Sequence, residues 1–482
     1  MALATFSYLK KINRKKSVFI ALILFVSAPA FAKKREPLSF WLKNEKTIAV
    51  KRMFANISPK GGAVGAVAAS PSKKNPDYWY HWVRDAAITM NEIVYRLEGF
   101  ETPEERQIEN QMLKNYAVFS RLNQKSKAKT GLGEPKFNMN GTPFNGPWAR
   151  PQNDSPALRA ITFLHWARLL KSSGRKKEVV KLYDPKFPQN SVIGADLDYV
   201  STHWKKPCYD LWEESFGFHF FTQMVERKAL LEGSNLAQEL GDSPRALFYR
   251  NEAKSLEAEI EKHWNAGRGY IMPTVDQTNM RYKNSGLDSS VILGVLMGNT
   301  HDGFFAPTDD RVLETVLALE KAFWKIYPIN HDRKTPGIAI GRYPEDRYNG
   351  TNVFNPNNGN PWVLNTEAFS QFYWTLSSDY SQKNAIVLTP LNLSFFKALP
   401  LKKKYLASLK PGETIQNSNP LFQALISALQ KKGDGFMSVV RRYINPDGTM
   451  SEQIDRKTGR MVSAPNLTWN YAGFLSQDRA RH

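Results

Sequence analysis

Thr102-Pro103-Glu104-Glu105, continued by Ile108, Met112, Leu113 and Tyr116, is the stretch that decides the fold class. A threonine N-cap, a proline at the first helical position and a glutamate three residues after the cap make a capping box, and the apolar residues that follow recur at helical spacing. Ser155-Pro156 opens a second run of this kind through Leu158, Ile161, Phe163, Leu164 and Leu169, and Ser243-Pro244 a third through Leu247, Leu256 and Ile260 to Trp264. Similar spacing predicts helices over residues 85–97, 217–232, 287–298, 310–328, 363–377, 418–432 and 467–477. The chain reads as all-α.

Long loops separate these helices, at 71–82, 131–154, 200–212, 341–362 and 440–466, and they hold most of the Trp, Gly, Pro, Asn and Arg residues. Loops beyond about 12–15 residues in a compact domain are usually functional. Two acidic clusters accompany them, Asp210-Leu211-Trp212-Glu213-Glu214 and Ser451-Glu452-Gln453. Carboxylates beside aromatics and amides suit glycoside hydrolysis, in which one acid protonates the leaving oxygen and a second carboxylate activates water or attacks. Each piece alone has a plainer explanation. Asp210 and Glu213 fit a helix N-cap and its capping-box partner, and Glu452 follows the turn Asp447-Gly448, where a glutamate is usually solvated. Arg84-Asp85 fits a helix-terminal ion pair, and Arg342 a surface pair with Glu345 or Asp346.

Taken together and in order, five segments carry more. They are Pro76 to Asp85, Gly146 to Asp154, Asp210 to Glu214, Gly341 to Asp346 with Gly359 to Trp362, and Ser451 to Gln453 with Leu467-Thr468-Trp469. This series resembles the motifs of glucoamylases, glycoside hydrolase family 15, over about residues 70–475, and is most similar to the fungal and yeast branch.

The resemblance implies an (α/α)6 toroid of six outer and six inner helices, with the active site built from the long loops at one end. It implies inverting, exo-acting release of β-D-glucose from the non-reducing ends of an α-glucan: starch, glycogen or maltooligosaccharides. By resemblance Glu213 is the general acid and Glu452 the general base, with carboxyl groups roughly 6.5–9.5 Å apart to admit the water. Glu214 hydrogen-bonds the sugar, Arg84 and Asp85 clamp hydroxyls of the terminal glucose, and Arg342 is a second donor there. Tyr78, Trp82, Trp148, Trp212 and Trp362 form walls. An apolar wall of Trp148 or Trp212 would help keep the acid protonated. Gln453 supports the base, and Arg150 and Asp154 order the loop before the helix that follows. Three features depart from the family pattern: His81 in place of a small hydroxyl residue, the step Asn153-Asp154-Ser155, and an insertion-like Asn355 to Asn358. A relative acting on a trehalose or dextran linkage, or a non-catalytic carbohydrate-binding protein, are the alternatives.

Composition narrows the field further. With 42% hydrophobic and 12% aromatic residues, the chain of 482 residues has ample material for a core, which excludes global disorder. The formal charge of +21 is dispersed, with only short runs such as Arg175-Lys176-Lys177 and Lys402-Lys403-Lys404, and no zinc-finger or RNP pattern accompanies it. A solvated basic surface is therefore expected, not a nucleic-acid partner. No His-Glu-x-x-His and no Gly-x-x-x-x-Gly-Lys-Ser/Thr occurs, so neither a metal nor a cofactor is expected.

The first 32 residues read as a secretory signal: a basic run from Lys10 to Lys16, apolar Val18 to Ala32, and a cleavage site at Ala30-Phe31-Ala32. Residues 33–482 then form one catalytic domain with no appended starch-binding module. The expected product is a secreted, extracellular monomer, or a periplasmic one, without stable membrane insertion after cleavage. A single cysteine, Cys208, leaves stability to the core.

Overall fold

A computed structural model describes residues 36–99, 102–280, 282–331, 335–350 and 358–482. The segment expected to be a signal, with its expected cleavage after Ala32, lies outside the described residues, as do positions 355–357 of the insertion-like stretch. In chain order the α-helices are α1 Leu38–Ala55, α2 Val83–Glu98, α3 Pro103–Gln124, α4 Asp154–Ser172, α5 Lys176–Leu182, α6 Val192–His203, α7 Phe220–Glu239, α8 Ser243–Glu261, α9 Ser290–Gly298, α10 Asp310–Ile326, α11 Val363–Lys383, α12 Leu393–Lys397, α13 Lys403–Ala407, α14 Pro420–Tyr443 and α15 Thr468–Arg481.

Helices α2, α4, α7, α9, α11 and α15 form a closed ring, each packed on the next and α15 back on α2. Outside them lie α1, α3, α6, α8, α10 and α14, which makes the (α/α)6 toroid. The division follows from side-chain pattern. An inner helix is covered on every side, and α4 accordingly buries Leu158, Ile161, Phe163, Leu164 and even Thr162 and His165. An outer helix buries one stripe. On α3 that stripe is Leu113, Tyr116 and Phe119, while Ile108 is exposed. The capping box of α3 forms as read, with Thr102 Oγ1 accepting from the Glu105 N–H at 3.2 Å and Glu105 Oε2 from the Thr102 N–H at 3.0 Å.

Two outer helices, α1 and α6, were not expected. Gly194 and the β-branched Val192, Ile193 and Val200 lower the helix propensity of α6, and tertiary packing of those same residues overrides it. The helix expected over 217–232 starts only at Phe220, because Phe216–His219 pairs antiparallel with Cys208–Tyr209 on one side and Thr274–Val275 on the other.

α1 brings Glu45 into the core, 1% exposed, and Glu367 of α11 is 0% exposed with no donor to either oxygen among the described residues. Burial, reinforced by Asp447, pushes Glu45 up to about 8, and burial together with Glu45 raises Glu367 well above the carboxylate range. A carboxyl group whose folded pKa is raised contributes stability that is complete below its unfolded value, about 4.3, and lost as pH climbs through the folded value. The melting temperature is therefore expected to fall between about pH 5 and pH 8, and Glu45→Gln to flatten that fall. An unchanged slope by scanning calorimetry would count against this account.

Candidate active site

The loops and the N-terminal ends of the inner helices enclose a cavity of about 590 Å³. It brings together the expected acid and base and the expected sugar-binding and wall residues: Tyr78, Trp82, Arg84, Asp85, Trp148, Trp212, Glu213, Glu214, Arg342, Trp362 and Glu452. Tyr80, Lys136, Tyr348, Leu467 and Trp469 also line it.

Glu213 and Glu214 do not begin a helix. They sit in a tight turn between Cys208–Tyr209 and Phe216–His219, where Asp210 Oδ1 accepts the N–H groups of Glu214 at 2.7 Å and Ser215 at 2.9 Å. Glu213 takes the left-handed conformation, φ 66°, closed by its N–H to the Asp210 carbonyl at 2.9 Å. The capping reading of Asp210 is thus corrected: its carboxylate shapes a loop that splays the two glutamates apart.

Three N–H groups converge on Glu213 Oε1, from Trp82 Nε1 at 2.7 Å, Trp148 Nε1 at 2.9 Å and Gln152 Nε2 at 3.0 Å. No described residue donates to Oε2. Trp148 therefore meets the carboxyl with its polar edge instead of an apolar face, and Trp212 turns its Nε1–H to Asp288 at 2.8 Å. The expectation of an apolar wall gives way to a donor cluster.

Glu214 faces other partners. Arg342 reaches Oε1 at 2.8 Å, the Tyr343 hydroxyl reaches Oε2 at 2.6 Å, and the Lys283 ammonium lies 3.5 Å from Oε2. Arg342 is held in turn by Asp346 at 2.6 and 2.8 Å, and both are buried, so this is no surface pair.

Glu452 is 1% exposed, in contrast to a solvated turn residue. The stretch around it pairs with the Gly359 to Trp362 motif: Trp362 bridges Gln453, and the Ile454 N–H donates to the Pro361 carbonyl at 2.9 Å. Its Oε2 accepts from Ser463 Oγ at 2.5 Å and Gln453 Nε2 at 3.0 Å. Burial pushes the carboxyl up to about 7, against the opposing pull of Ser463, Tyr78, Arg342 and Gln453.

Arg84 is buried between acids. Its NH1 reaches Gln152 at 2.7 Å and Asp154 at 3.2 Å, and its Nε lies 3.5 Å from Asp85 Oδ2. Arg84 Nε and Asp85 Oδ2 are buried polar atoms without a hydrogen-bond partner among the described residues. Asp154 thus aims Arg84 as well as ordering its loop, whereas Arg150 is structural, bound to Glu134 and to the carbonyls of Gly146 and Phe144.

The family model described as glycosyl hydrolases family 15 matches residues 47–477. The chain belongs to that family. The glucoamylase of Blastobotrys adeninivorans is 35% identical, covering 92% of this chain and 72% of that protein. Glucoamylase 1 of Rhizopus oryzae is 36% identical over 94% and 73%. Among solved structures, the glucoamylase of Saccharomycopsis fibuligera superposes with a TM-score of 0.84 at 31% identity, covering 92% of this chain and 95% of that one. The Hypocrea jecorina family 15 glucoamylase gives 0.82 at 30% identity, over 92% and 72%.

Within the family frame, His81 leaves the cavity untouched. Residues alternate along Tyr80–Trp82, so Tyr80 and Trp82 line the cavity while His81 points into the core, where Nδ1 accepts the Val67 N–H at 3.0 Å. Burial, with Arg159 nearby, pulls it down to about 3, and it is neutral. Asn153 anchors its loop through Tyr199 at 3.0 Å. Cys208 is a buried free thiol, raised by burial and by Glu226.

Sequence reasoning passed over Gln152, Lys283, Tyr343 and Ser463, each of which holds an active-site carboxylate. It also passed over Lys136, whose ammonium lies 3.5–4.4 Å from the ring centres of Tyr80, Trp82, Phe144 and Trp148 and is lowered to about 8 by burial. Gln152 and Tyr343 lie inside quoted motifs, which was the available signal. Single lysines and serines outside a motif carry none.

Proposed function

We infer that this chain is an inverting, exo-acting glucan 1,4-α-glucosidase that releases β-D-glucose from the non-reducing ends of starch, glycogen or maltooligosaccharides. The observation that carries the reading is the one-sided solvation of Glu213. A carboxylic acid accepts hydrogen bonds at its carbonyl oxygen and donates from the other; three donors on Oε1 leave Oε2 to deliver a proton to the glycosidic oxygen. Glu452 takes a proton from water as that water attacks C1 and the C1–O bond breaks, with inversion. Arg84 and Asp85, paired at 3.5 Å and both lining the cavity, offer a donor and an acceptor to a sugar hydroxyl that needs both. Glu214 and Arg342 bind the same glucose, between walls of Tyr78, Trp82, Trp148, Trp212 and Trp362.

Incubation with maltose, maltoheptaose, glycogen, isomaltose and trehalose, recording the anomer by NMR, tests the assignment. β-Glucose from the 1,4-linked series is expected. The α-anomer would overturn inversion, and cleavage of trehalose or isomaltose alone would overturn the linkage.

Ser463 supplies a further test. The base works ionised, so kcat/KM rises as pH climbs through the Glu452 pKa. Ser463 Oγ stabilises the ionised form, so Ser463→Ala is expected to move that ascending limb to higher pH. A limb that stays in place or moves down would remove Ser463 from this role.

The first 32 residues are proposed to be a cleaved signal, and the remainder an exported monomeric catalytic domain. Among the described residues no helix is long and apolar enough to cross a membrane. N-terminal sequencing of the secreted protein should begin at Lys33.

A further inference from the structure

Two to three turns along the inner helices from the active site, the ring encloses a second cavity, of about 80 Å³. All six inner helices line it: Glu92 of α2, Thr162 of α4, Lys228 of α7, Met297 of α9, Gln371 of α11 and Arg479 of α15. Along α2, Glu92 is seven residues beyond Asp85, about 10 Å at the helical rise. No residue of the catalytic cavity takes part.

The charges in this lining do not balance. Glu92 is its one carboxylate, and it is committed to Arg479 at 2.5 and 3.1 Å and to the Ser476 hydroxyl at 2.6 Å. Lys228 is paired far more loosely. Its side chain is 11% exposed, its nearest carboxylate oxygen is on Glu232 at 3.9 Å, and no described residue accepts a hydrogen bond from it. Glu232 is shared, lying also 3.0 Å from His165 and 3.5 Å from Arg168. Burial and the positive charges of Arg168 and Arg479 pull the Lys228 ammonium below its ordinary value, with Glu232 in partial opposition. Thr162 gives its hydroxyl to the Ala87 and Leu158 carbonyls, while the side-chain amide of Gln371 bonds to no described residue.

An ammonium in such a lining needs a hydrogen-bond acceptor, and Glu232 at 3.9 Å supplies charge without being one. Water could accept, but adds no negative charge to a lining that holds two cations and one carboxylate. The cavity exceeds the 10–15 Å³ or so that one water requires, leaving room for a larger occupant. We propose that it binds one small oxyanion of phosphate or sulfate size, received by Lys228 with Gln371 and Arg479 as further donors. The ligand would join α7, α11 and α15 at the axis of the toroid, so binding would stabilise the fold by mass action without touching the catalytic carboxylates.

Calorimetric titration of the intact protein with sodium phosphate at low ionic strength, with sodium chloride as control, tests this. Saturable binding of one phosphate per chain is expected. It should be lost in Lys228→Met and in Gln371→Glu, which places a carboxylate opposite Lys228, with hydrolysis of maltose changed less than about twofold. Melting temperature should rise with phosphate in the wild type and lose that specific increment in the variants. General stabilisation by salt exclusion would instead act on all three alike. Absence of saturable binding to the wild type overturns the proposal. So does undiminished binding in a folded variant, which would put the ion elsewhere. Should Lys228→Met fail to fold, Gln371→Glu decides alone.

Discussion

Glu213→Gln is expected to lower kcat on maltose by roughly 10²–10⁴-fold, the usual worth of a positioned general acid, with the fold retained. The amide oxygen can occupy the Oε1 position and keep the hydrogen bonds from Trp82, Trp148 and Gln152. The amide nitrogen then stands where Oε2 stood, and it cannot deliver an acidic proton. Leaving-group chemistry gives the sharper readout. α-Glucosyl fluoride departs with little protonation, so its hydrolysis should fall far less than that of maltose. An equal loss on both substrates would assign Glu213 to binding or architecture; unchanged maltose hydrolysis would remove it from catalysis altogether.

Glu452→Gln should be as damaging on maltose, and here the activated substrate should offer no relief. Fluoride still has to be displaced by a water, and the group that takes the proton from that water is gone. The amide oxygen can accept from Ser463 and Gln453 as Oε2 does, so the loop is expected to hold. In the wild type, the buried carboxyl at about 7 makes activity climb with pH as the base ionises; in Glu452→Gln that limb should vanish from the residual rate. A variant that loses maltose hydrolysis but retains turnover of the fluoride would reverse the two roles. Together the two substrates separate acid from base, which the loss of activity on maltose cannot do.

Much of this site was legible because its chemistry is carried by dense local motifs. Trp-x-Arg-Asp at 82–85 and Trp212-Glu213-Glu214 place several cavity residues within a few positions of one another. Even there, local reading erred. Asp210 to Glu214 has the spacing of a capped helix, and the chain turns instead, because the strand pairing of Phe216–His219 claims the backbone that a helix would need. The paired glutamates therefore diverge by loop geometry. The apolar character assumed for Trp148 failed for a related reason: an indole has a face and an N–H, and only the fold decides which one is presented.

The sequence alone determined that the chain is helical, where the long loops lie, and which carboxylates, arginines and aromatics are drawn to the cavity. Helices and loops follow from spacing and capping, which are local along the chain, whereas the site residues follow from the resemblance of five ordered motifs to the family. Tertiary structure shows what spacing and capping could not reach and only the resemblance implied, that six inner helices close into a ring: closure brings α15 back to α2 across some 370 positions that no periodicity connects. It also decided how the cavity residues are held: Gln152 and Asp154 on Arg84, Lys283 and Tyr343 on Glu214, Ser463 on Glu452. A hydrogen bond is a matter of ångströms in space, and residues that meet at 3 Å here come from separate loops and helix ends whose meeting is set by how the helices pack.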